Sequence, residues 1–413
     1  MVLQEPTFST PTAAVLRKDS AAATVVIAAL VALGPLATDM YLPAMPAMTV
    51  ALDTGIDTVQ LTLSVFLAGF AVSQLGYGAL SDRFGRKPVL LGSLVLFVVA
   101  TIGCASAQSA GSLIAWRLLQ SVGACAGPVL GRAMVRDIHG PAGSARVLSY
   151  IGTVMALAPA VAPLAGGYLV VAFGWQSVFV VLALYGVAAF AVTAGAVPET
   201  NMHKDPGAIA PLAMARNFAF LVRDRRFLGY TLCCTFVFSG LFAFLSGSSF
   251  VIIGHFGVAE QHFGLYFAMV VAGYMSGTIV GGRLSHRHHY DTLIRAGALV
   301  SAAAGGAMWL AVIAGIDHVA AVIAPMVVYM AGVGVVMPQT IAGALAPFPT
   351  MAGAASALFG FLQMAIAALV GVLVGTFHDG GPGSMSTAIA VMGIATVASY
   401  RWLVAPAATG VTR

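Results

Sequence analysis

The chain has 413 residues, of which 60% are hydrophobic and only 8% are charged. No soluble domain of this length has so apolar a composition, so the chain is predicted to be a polytopic membrane protein. Its formal net charge of +5 would suit a nucleic-acid partner. However, the positions of the basic residues indicate membrane topology instead, and no nucleic-acid partner is expected.

Apolar runs of the roughly 20 residues that cross a bilayer recur along the whole chain. The first run follows Arg17 and Lys18 and is too long and too rich in proline for a cleaved signal peptide. Twelve helical spans are predicted, at 22–44, 58–80, 88–107, 111–136, 146–172, 176–197, 227–253, 262–284, 292–314, 319–345, 351–377 and 384–404. They predict an N-terminal bundle at 1–197, a cytoplasmic linker at 198–226 and a C-terminal bundle at 227–413. Arginines in the linker predict a surface helix against the inner leaflet.

The positions of Lys and Arg give these spans an orientation. Of the 19 such residues, all but Arg117 and Arg132 fall in segments that are predicted to be cytoplasmic. The connections predicted to be external contain none of them. The positive-inside rule then places both termini in the cytoplasm, and the expected location is the cell inner (plasma) membrane.

The connection between the second and third predicted spans, GYGALSDRFGRKPVLLG at 76–92, carries an acid and three basic residues. Its glycine at 85 suits a left-handed turn, and its proline at 88 suits the first turn of a helix. The connection resembles the signature loop of the major facilitator superfamily. The matching residues are Gly78, Asp82, Arg83, Gly85, Arg86, Lys87 and Pro88. The resemblance implies a gating loop and an all-α fold of two pseudo-symmetric six-helix bundles, and an ordinary basic topogenic loop is the alternative.

The segment after the eighth predicted span carries a weaker copy of this signature. Gly277, Gly281, Arg283 and Arg287 recur there, but the matching Asp is absent. Repeated halves of this kind are typical of secondary transporters. Three nearby histidines at 286, 288 and 289 are interpreted as a solvated cluster rather than a metal site.

Ionisable side chains inside the spans are informative, because a charge within the membrane is costly. Asp39 lies in the first span, in LATDMYLPAMP, and Arg117 lies in the fourth, in AWRLLQSVGACAGP. Both are predicted to lie toward the external ends and to face each other as a proton-coupling pair. Alternatively, Asp39 is a structural acid and Arg117 braces the helices with a permanent charge. Arg132, Arg136 and Asp137 are predicted to snorkel or pair at the cytoplasmic end.

Three motifs resemble the drug:proton antiporters of the Bcr/CflA type, the bicyclomycin and chloramphenicol exporters. The run Asp-Met-Tyr-Leu-Pro stands at 39–43, and Arg117 and Gln120 match the fourth-helix signature, with Ser121 in place of the usual glycine. The run LAPAVAPLAGG at 157–167 resembles the antiporter helix, with Ala162 where glycine is common. Its matching residues are Pro159, Pro163, Gly166 and Gly167. The resemblance implies multidrug or antibiotic efflux driven by protons.

A cavity for drugs should be apolar and aromatic, with a few polar groups. The residues predicted to line it are Tyr41, Gln60, Gln120, Phe236, Phe244, Met337, Gln339 and Gln363. Asp39 is the only acid within a predicted span. A neutral or zwitterionic substrate is therefore favoured over a doubly charged cation.

These patterns predict a proton-coupled secondary transporter that exports drug-like or small amphipathic compounds by alternating access. One alternative is a proton-coupled symporter that imports a nutrient or metabolite, and a second is a membrane sensor, disfavoured because only a short tail follows the last span. The expected partners are a small-molecule substrate, protons and the lipid bilayer, and the expected state is a monomer.

Several other classes of protein are not expected. No phosphate-binding loop GxxxxGK[ST] is present, which argues against ATP hydrolysis. All four cysteines fall in predicted spans, so a disulfide framework is not expected. No nucleophile with its base, cofactor loop or metal cluster is apparent, and neither an enzymatic activity nor a cofactor or metal is predicted.

Overall fold

The computed structural model describes residues 21–404 except 203, 208, 210 and 379, and all regular structure in this part of the chain is helical. The α-helices are α1 (Ala21–Asp39), α2 (Met45–Ala51), α3 (Ile56–Phe84), α4 (Arg86–Ala105), α5 (Ala110–Phe173), α6 (Gln176–Ala196), α7 (Pro211–Arg223), α8 (Arg225–Ser249), α9 (Glu260–Leu284), α10 (Tyr290–Ile313), α11 (Ala320–Leu345), α12 (Ala352–Thr376) and α13 (Gly383–Ser399). Short 3-10 turns lie at Leu42–Ala44 and Pro349–Met351, and π-helical turns at Phe250–His255 and Tyr400–Val404.

Within the described residues, 11 helical stretches are long and apolar enough to cross a membrane, and Leu157–Phe173 is a shorter apolar helix. The predicted all-helical, multi-pass architecture is thereby confirmed. The first stretch, Ala22–Ala51, is longer than the predicted span at 22–44 because α2 continues it. This extension moves Asp39 from the end of a span toward its middle third.

The fourth and fifth predicted spans are both contained in one helical element, α5, of 64 residues. A straight helix of this length would extend ~96 Å, about three times the hydrocarbon thickness of a bilayer. However, Ser144 Oγ donates a hydrogen bond of 3.5 Å to the carbonyl oxygen of Val135. In a straight helix these residues would be separated by ~13 Å along the axis. The chain therefore turns back between them, and α5 has two arms.

The two arms of α5 pack against α1 in opposite directions. On the first arm, a Cβ at Gly127 would meet Leu30, and one at Gly131 would meet Ile27 and Val31, so this arm is antiparallel to α1. The second arm follows α1 toward its end, where Gly166 lies against Met40. Glycines at these places allow close approach of the two backbones, since any side chain would overlap the neighbouring helix.

The spanning helices pack in two groups. The first group contains α1 and α3 to α6, and the second contains α8 to α13. The groups contact each other mainly through α3 against α12 and α5 against α9. Both α3 and α9 begin with an acid, Asp57 or Glu260, and end with a base, Arg83 or Arg283. These two sides of the molecule are called here the acidic end and the basic end.

The segment between the two groups contains the helix α7, at the place where a surface helix is predicted. Leu221 is buried, and the Phe220 ring lies edge-on to Phe348 with 6.3 Å between the ring centroids. Leu212 and Arg216 point outward. Asp224 then caps α8, because its carboxylate accepts the Phe227 backbone N–H at 2.8 Å. The linker helix is thus anchored by one apolar face to the basic ends of α8 and α12.

Candidate functional site

A cavity of about 470 Å³ lies between the two helix groups. The wall from the first group includes the polar side chains Thr38, Asp39, Gln74 and Arg132. The wall from the second group is apolar except for a tyrosine, and comprises Phe238, Leu241, Phe242, Leu245, Phe267, Val270, Val271, Tyr274, Met330, Met337 and Met364. A larger groove of about 650 Å³ between α1, α5 and α6 has apolar walls and no charged residue, which is typical of a lipid-facing surface.

Asp39 stands where the first span is interrupted. The α-helix α1 ends at this residue, and Pro43 occupies the first turn of the following 3-10 segment, Leu42–Ala44. Proline has no backbone N–H and cannot continue the hydrogen-bonding pattern of α1. The Asp39 side chain is 4% exposed, accepts a hydrogen bond of 3.0 Å from Thr38 Oγ1, and lines the cavity. A carboxylic acid is therefore held at a break in a membrane helix and faces the cavity.

Arg117 is completely buried behind this wall. Its Nη1 donates to the carbonyl oxygen of Ala37 at 3.0 Å and to Gln120 Oε1 at 2.6 Å. The guanidinium carbon lies 4.5 Å from the centroid of the Tyr41 ring and 4.4 Å from that of Phe66. Two aromatic faces and a helix-terminal carbonyl thus offset part of the cost of desolvating the charge, while Nε and Nη2 have no hydrogen-bond partner among the described residues. Arg117 also caps the end of α1.

The predicted direct pairing of Asp39 with Arg117 is absent from this structure. No ion pair joins the two side chains in the described part of the chain. The reason is rotation about α1: Arg117 binds the carbonyl of Ala37, and Asp39 follows two positions later, about 200° further around the helix. The acid therefore faces the cavity while the guanidinium lies behind it. Their shared role in proton coupling stays a prediction.

Arg132, for which snorkelling or pairing is predicted, turns into the cavity instead. Its side chain is exposed there, and among the described residues it makes no hydrogen bond or ion pair. The neighbouring Arg136 is exposed outside the cavity lining, and Asp137 pairs with Arg86. The cavity thus contains a fixed positive charge. The position of Arg132 along its helix did not predict this, because it does not tell which face of the helix the side chain occupies.

The predicted gating loop is a compact network at the basic end. Gly85 separates α3 from α4 with a φ of 104°, a left-handed conformation that only glycine adopts without strain. The Arg86 guanidinium donates to Asp82 Oδ1 at 2.6 Å and to Asp137 Oδ2 at 3.0 Å. The network therefore connects the turn between α3 and α4 to the first arm of α5.

Sequence reasoning missed Glu199, which completes this network. Its carboxylate accepts the backbone N–H groups of Arg86 at 2.9 Å and Lys87 at 3.1 Å, at the N-terminus of α4. It also accepts those of Thr200 and Asn201, at 2.9 and 2.8 Å. A carboxylate at a helix N-terminus is favoured by the unpaired N–H groups and the helix dipole. No local pattern pointed to it, since it is more than 110 positions from Arg86 and Lys87 in the chain.

The remaining members of the predicted gating loop have fewer contacts. A Cβ at Gly78 would meet nothing within 4 Å, and Arg83 lies over the ring of its neighbour Phe84 at 5.3 Å. Lys87 Nζ donates to the carbonyl oxygen of Ala194 at 2.9 Å, near the end of α6. The loop thus also holds α6, and the network centres on Arg86 and Glu199.

The antiporter-like helix is the second arm of α5. Pro159 lines the cavity, and Pro163 is buried. A Cβ at Gly166 would overlap the Met40 carbonyl next to the break in α1, and one at Gly167 would overlap the backbone of α9 at Glu260. The two adjacent glycines therefore bring this arm into contact with both helix groups.

None of the five principal residues predicted to line the cavity, Tyr41, Gln120, Phe244, Gln339 and Gln363, belongs to its lining. Tyr41 and Gln120 surround Arg117, and the Phe244 ring packs on Phe267 at 6.1 Å. Gln363 Nε2 points to Cys234 Sγ at 3.7 Å. Of the further residues considered, Met337 does line the cavity, whereas Gln60 and Phe236 do not. The residues were chosen by type, and their helical faces decide which of them reach the cavity.

Two groups of membrane-spanning helices around a central cavity, with a broken first span, define a membrane transporter of the secondary type. The family model described as Major Facilitator Superfamily matches residues 27–372, and the chain belongs to this family.

Similar proteins include drug-resistance proteins. The "Bicyclomycin resistance protein homolog" of Haemophilus influenzae is 32% identical over 372 residues, covering 90% of this chain and 93% of that protein. The "Chloramphenicol resistance protein" of Pseudomonas aeruginosa is 34% identical over 347 residues, covering 83% and 81%. These relatives confirm the predicted resemblance to Bcr/CflA-type exporters.

A solved structure with the same fold is the inward open conformation of the xylose transporter XylE from E. coli. The TM-score between the two structures is 0.73 and their sequences are 14% identical. The match covers 92% of this chain and 95% of the XylE chain. At this level of identity the similarity concerns the fold alone. It confirms the predicted major facilitator fold.

Proposed function

We propose that the chain is a proton-coupled exporter of drug-like or small amphipathic compounds in the cell inner membrane, with its basic end and both termini in the cytoplasm. The observation that carries this proposal is the placement of Asp39, an acid at a helix break on the wall of a largely apolar cavity. Acids inside membrane proteins commonly serve as proton sites. Two relatives are named for resistance to bicyclomycin and to chloramphenicol, and these names support outward transport of drug-like substrates.

The closed acidic end supports an inward-facing state. There Gln60 Nε2 of the first group donates to the carbonyl oxygen of Ser246 in the second at 2.8 Å, and Ser249 Oγ donates to Met45 Sδ at 3.7 Å. The cavity extends from Asp39 toward the basic end, where Gly152 and Arg132 are exposed in its wall. In the proposed cycle, the bundles 1–197 and 227–413 rock about this cavity, connected by the linker 198–226.

In the proposed coupling, the proton and the substrate compete for binding in the same cavity. A proton from the external side neutralises Asp39, and a substrate from the cytoplasm binds when that proton has left, so that the two loads alternate. Arg117 serves as a positioning residue, because it holds the carbonyl of Ala37 and thereby the end of α1 from which Asp39 projects. An arginine keeps its charge throughout and cannot itself carry the transported proton.

The test is proton-driven uptake of radiolabelled chloramphenicol into inverted membrane vesicles. We expect Asp39→Asn to abolish accumulation driven by a pH gradient, a loss of at least about tenfold, because an amide cannot be protonated in this range. Exchange of labelled for unlabelled drug without a gradient should continue in the variant. Asp53→Asn, which removes an exposed carboxylate at the acidic end, is the matched control and should behave as the wild type. Full proton-driven accumulation by Asp39→Asn would contradict the proposal.

The alternative symporter would move its substrate in the same direction as the proton. In the same vesicles a symporter loses its substrate when protons flow outward from the lumen, whereas an exporter gains it. The direction of chloramphenicol movement in an imposed gradient therefore distinguishes the two functions.

A further inference from the structure

Arg132 lies on the cavity wall near its basic end. Pro128 and Arg132 both line the cavity, as expected of residues four positions apart on one helix face. The Arg132 side chain is exposed to the cavity, and no hydrogen bond or ion pair engages its guanidinium in the described part of the chain. An arginine that faces a cavity between membrane helices commonly lies on a substrate pathway.

Asp39 is too far along the bundle to be this partner. The neighbour of Arg132, Gly131, packs against Ile27 and Val31 of α1. Asp39 follows Val31 by eight positions and Ile27 by twelve, which corresponds to ~12–18 Å along the helix. The two charges therefore occupy different levels of the cavity, and Asp39 is the only acid among the described residues of its lining.

The opposite wall is suited to an apolar body. Phe267 and Tyr274 of α9 face Met330 and Met337 of α11 and Met364 of α12 within the same lining. Methionine side chains are flexible and polarisable and can adapt to differently shaped ligands. The cavity thus combines one permanent cation with an adaptable apolar surface.

On the basis of the proposed function, we propose that the substrates include amphiphiles with an anionic group, such as a carboxylate, which Arg132 binds while the apolar body packs on α9, α11 and α12. The planar guanidinium can donate two parallel hydrogen bonds to such a group. This assignment differs from the neutral or zwitterionic substrate that Asp39 alone indicates. It also gives Arg132 a partner that the described part of the chain does not supply.

The experiment compares two fluorescent probes that share one apolar body and differ in charge. Dansylglycine carries a carboxylate, and dansylamide is uncharged. Their affinities are measured with the full chain in nanodiscs, with empty nanodiscs as background and without a proton gradient. The wild type should bind dansylglycine about tenfold more tightly than dansylamide, the difference expected from a charge-assisted hydrogen bond.

Arg132→Gln should remove this preference and leave the affinity for dansylamide within about twofold of the wild type, since the apolar wall is unchanged. Arg136→Gln is the matched control, because it removes a positive charge one turn away, outside the cavity lining, and it should keep the tenfold preference. Arg132→Lys, which retains the charge but not the planar fork, should keep part of the preference. This variant also provides a test if Arg132→Gln does not fold.

Equal preferences in the wild type and Arg132→Gln would overturn the proposal, and so would a wild type that binds dansylglycine no better than dansylamide. A different result would reject the proposed function without affecting the anion site. Preferential binding through Arg132 by a chain that moves no compound in a proton gradient would leave the anion site intact and reject proton-coupled export.

Discussion

The two helix groups share the cavity but contribute different chemistry to it. The first group supplies Asp39, Gln74 and Arg132, whereas the second supplies aromatic, aliphatic and methionine side chains. The groups also differ at their basic ends. Arg86 and Glu199 connect the turn between α3 and α4 to α5 and to the segment after α6 through charged side chains. The turn between α9 and α10 is instead joined to α8 by the hydrogen bond of 2.7 Å that the Tyr230 hydroxyl donates to Asp291 Oδ1.

This difference indicates how a duplicated architecture can divide its work. A titratable acid requires a rigid surrounding, and the buried Arg117 cluster and the Arg86 network both stabilise the group that holds Asp39. Recognition of varied apolar compounds instead requires adaptable side chains, which the second group provides. Three substitutions test this contrast, in addition to those at Asp39 and Arg132.

The largest effect is expected from Arg117→Lys. Arg117 donates to Ala37 and Gln120 from the single nitrogen Nη1, which a lysine ammonium can imitate, but lysine cannot stack a planar group on the Tyr41 and Phe66 rings, a loss of about 2 kcal/mol in interaction energy. We expect proton-driven accumulation of chloramphenicol to fall by at least about tenfold, while exchange without a gradient is retained. Arg283→Lys, at an exposed position in the second group, is the control. Equal losses in both assays would show that Arg117 supports folding rather than the position of Asp39.

A smaller effect is expected from Glu199→Gln. The amide retains one acceptor oxygen but removes the negative charge from the N-terminus of α4, which costs about 0.5–2 kcal/mol. Thermal unfolding of the purified protein should shift down by a few degrees, and transport should fall less than in Arg117→Lys. Ser285→Ala, in the corresponding turn of the second group, should leave the unfolding temperature unchanged, because in the described structure Ser285 Oγ donates to the carbonyl oxygen of Gly282 in the same turn and to no other residue. A shift of equal size in both variants would contradict the proposed asymmetry.

The smallest effect is expected from Met337→Ala in the apolar wall. The remaining methionines can adapt to fill part of the space, so the affinity for dansylamide should weaken by less than about fivefold. The ratio of affinities for dansylglycine and dansylamide should not change, because Arg132 is untouched. A change in this ratio would mean that the two walls do not act independently.

Much of the architecture follows from the sequence because the membrane imposes one-dimensional rules. Each crossing requires a long apolar run, and Lys and Arg remain on one side, so the spans and the loop at 76–92 are predictable. The break at Asp39 was not predicted, because 22–44 was assigned as one continuous span although Pro43 and Pro46 follow this residue closely. The length of the first span was underestimated because α2 resumes the helix after this break.

The tertiary structure alone decided which side chains meet. Depth along the spans suggested that Asp39 and Arg117 would pair, but the rotation of α1 directs Ala37 to the arginine and Asp39 to the cavity. Likewise, Arg132 faces the cavity only because of the way α5 packs on α1. Glu199 reaches Arg86 from a distant part of the chain. Apolar periodicity is weak in helices that are surrounded by both protein and lipid, so the sequence determined where the helices run and their packing determined which faces form the site.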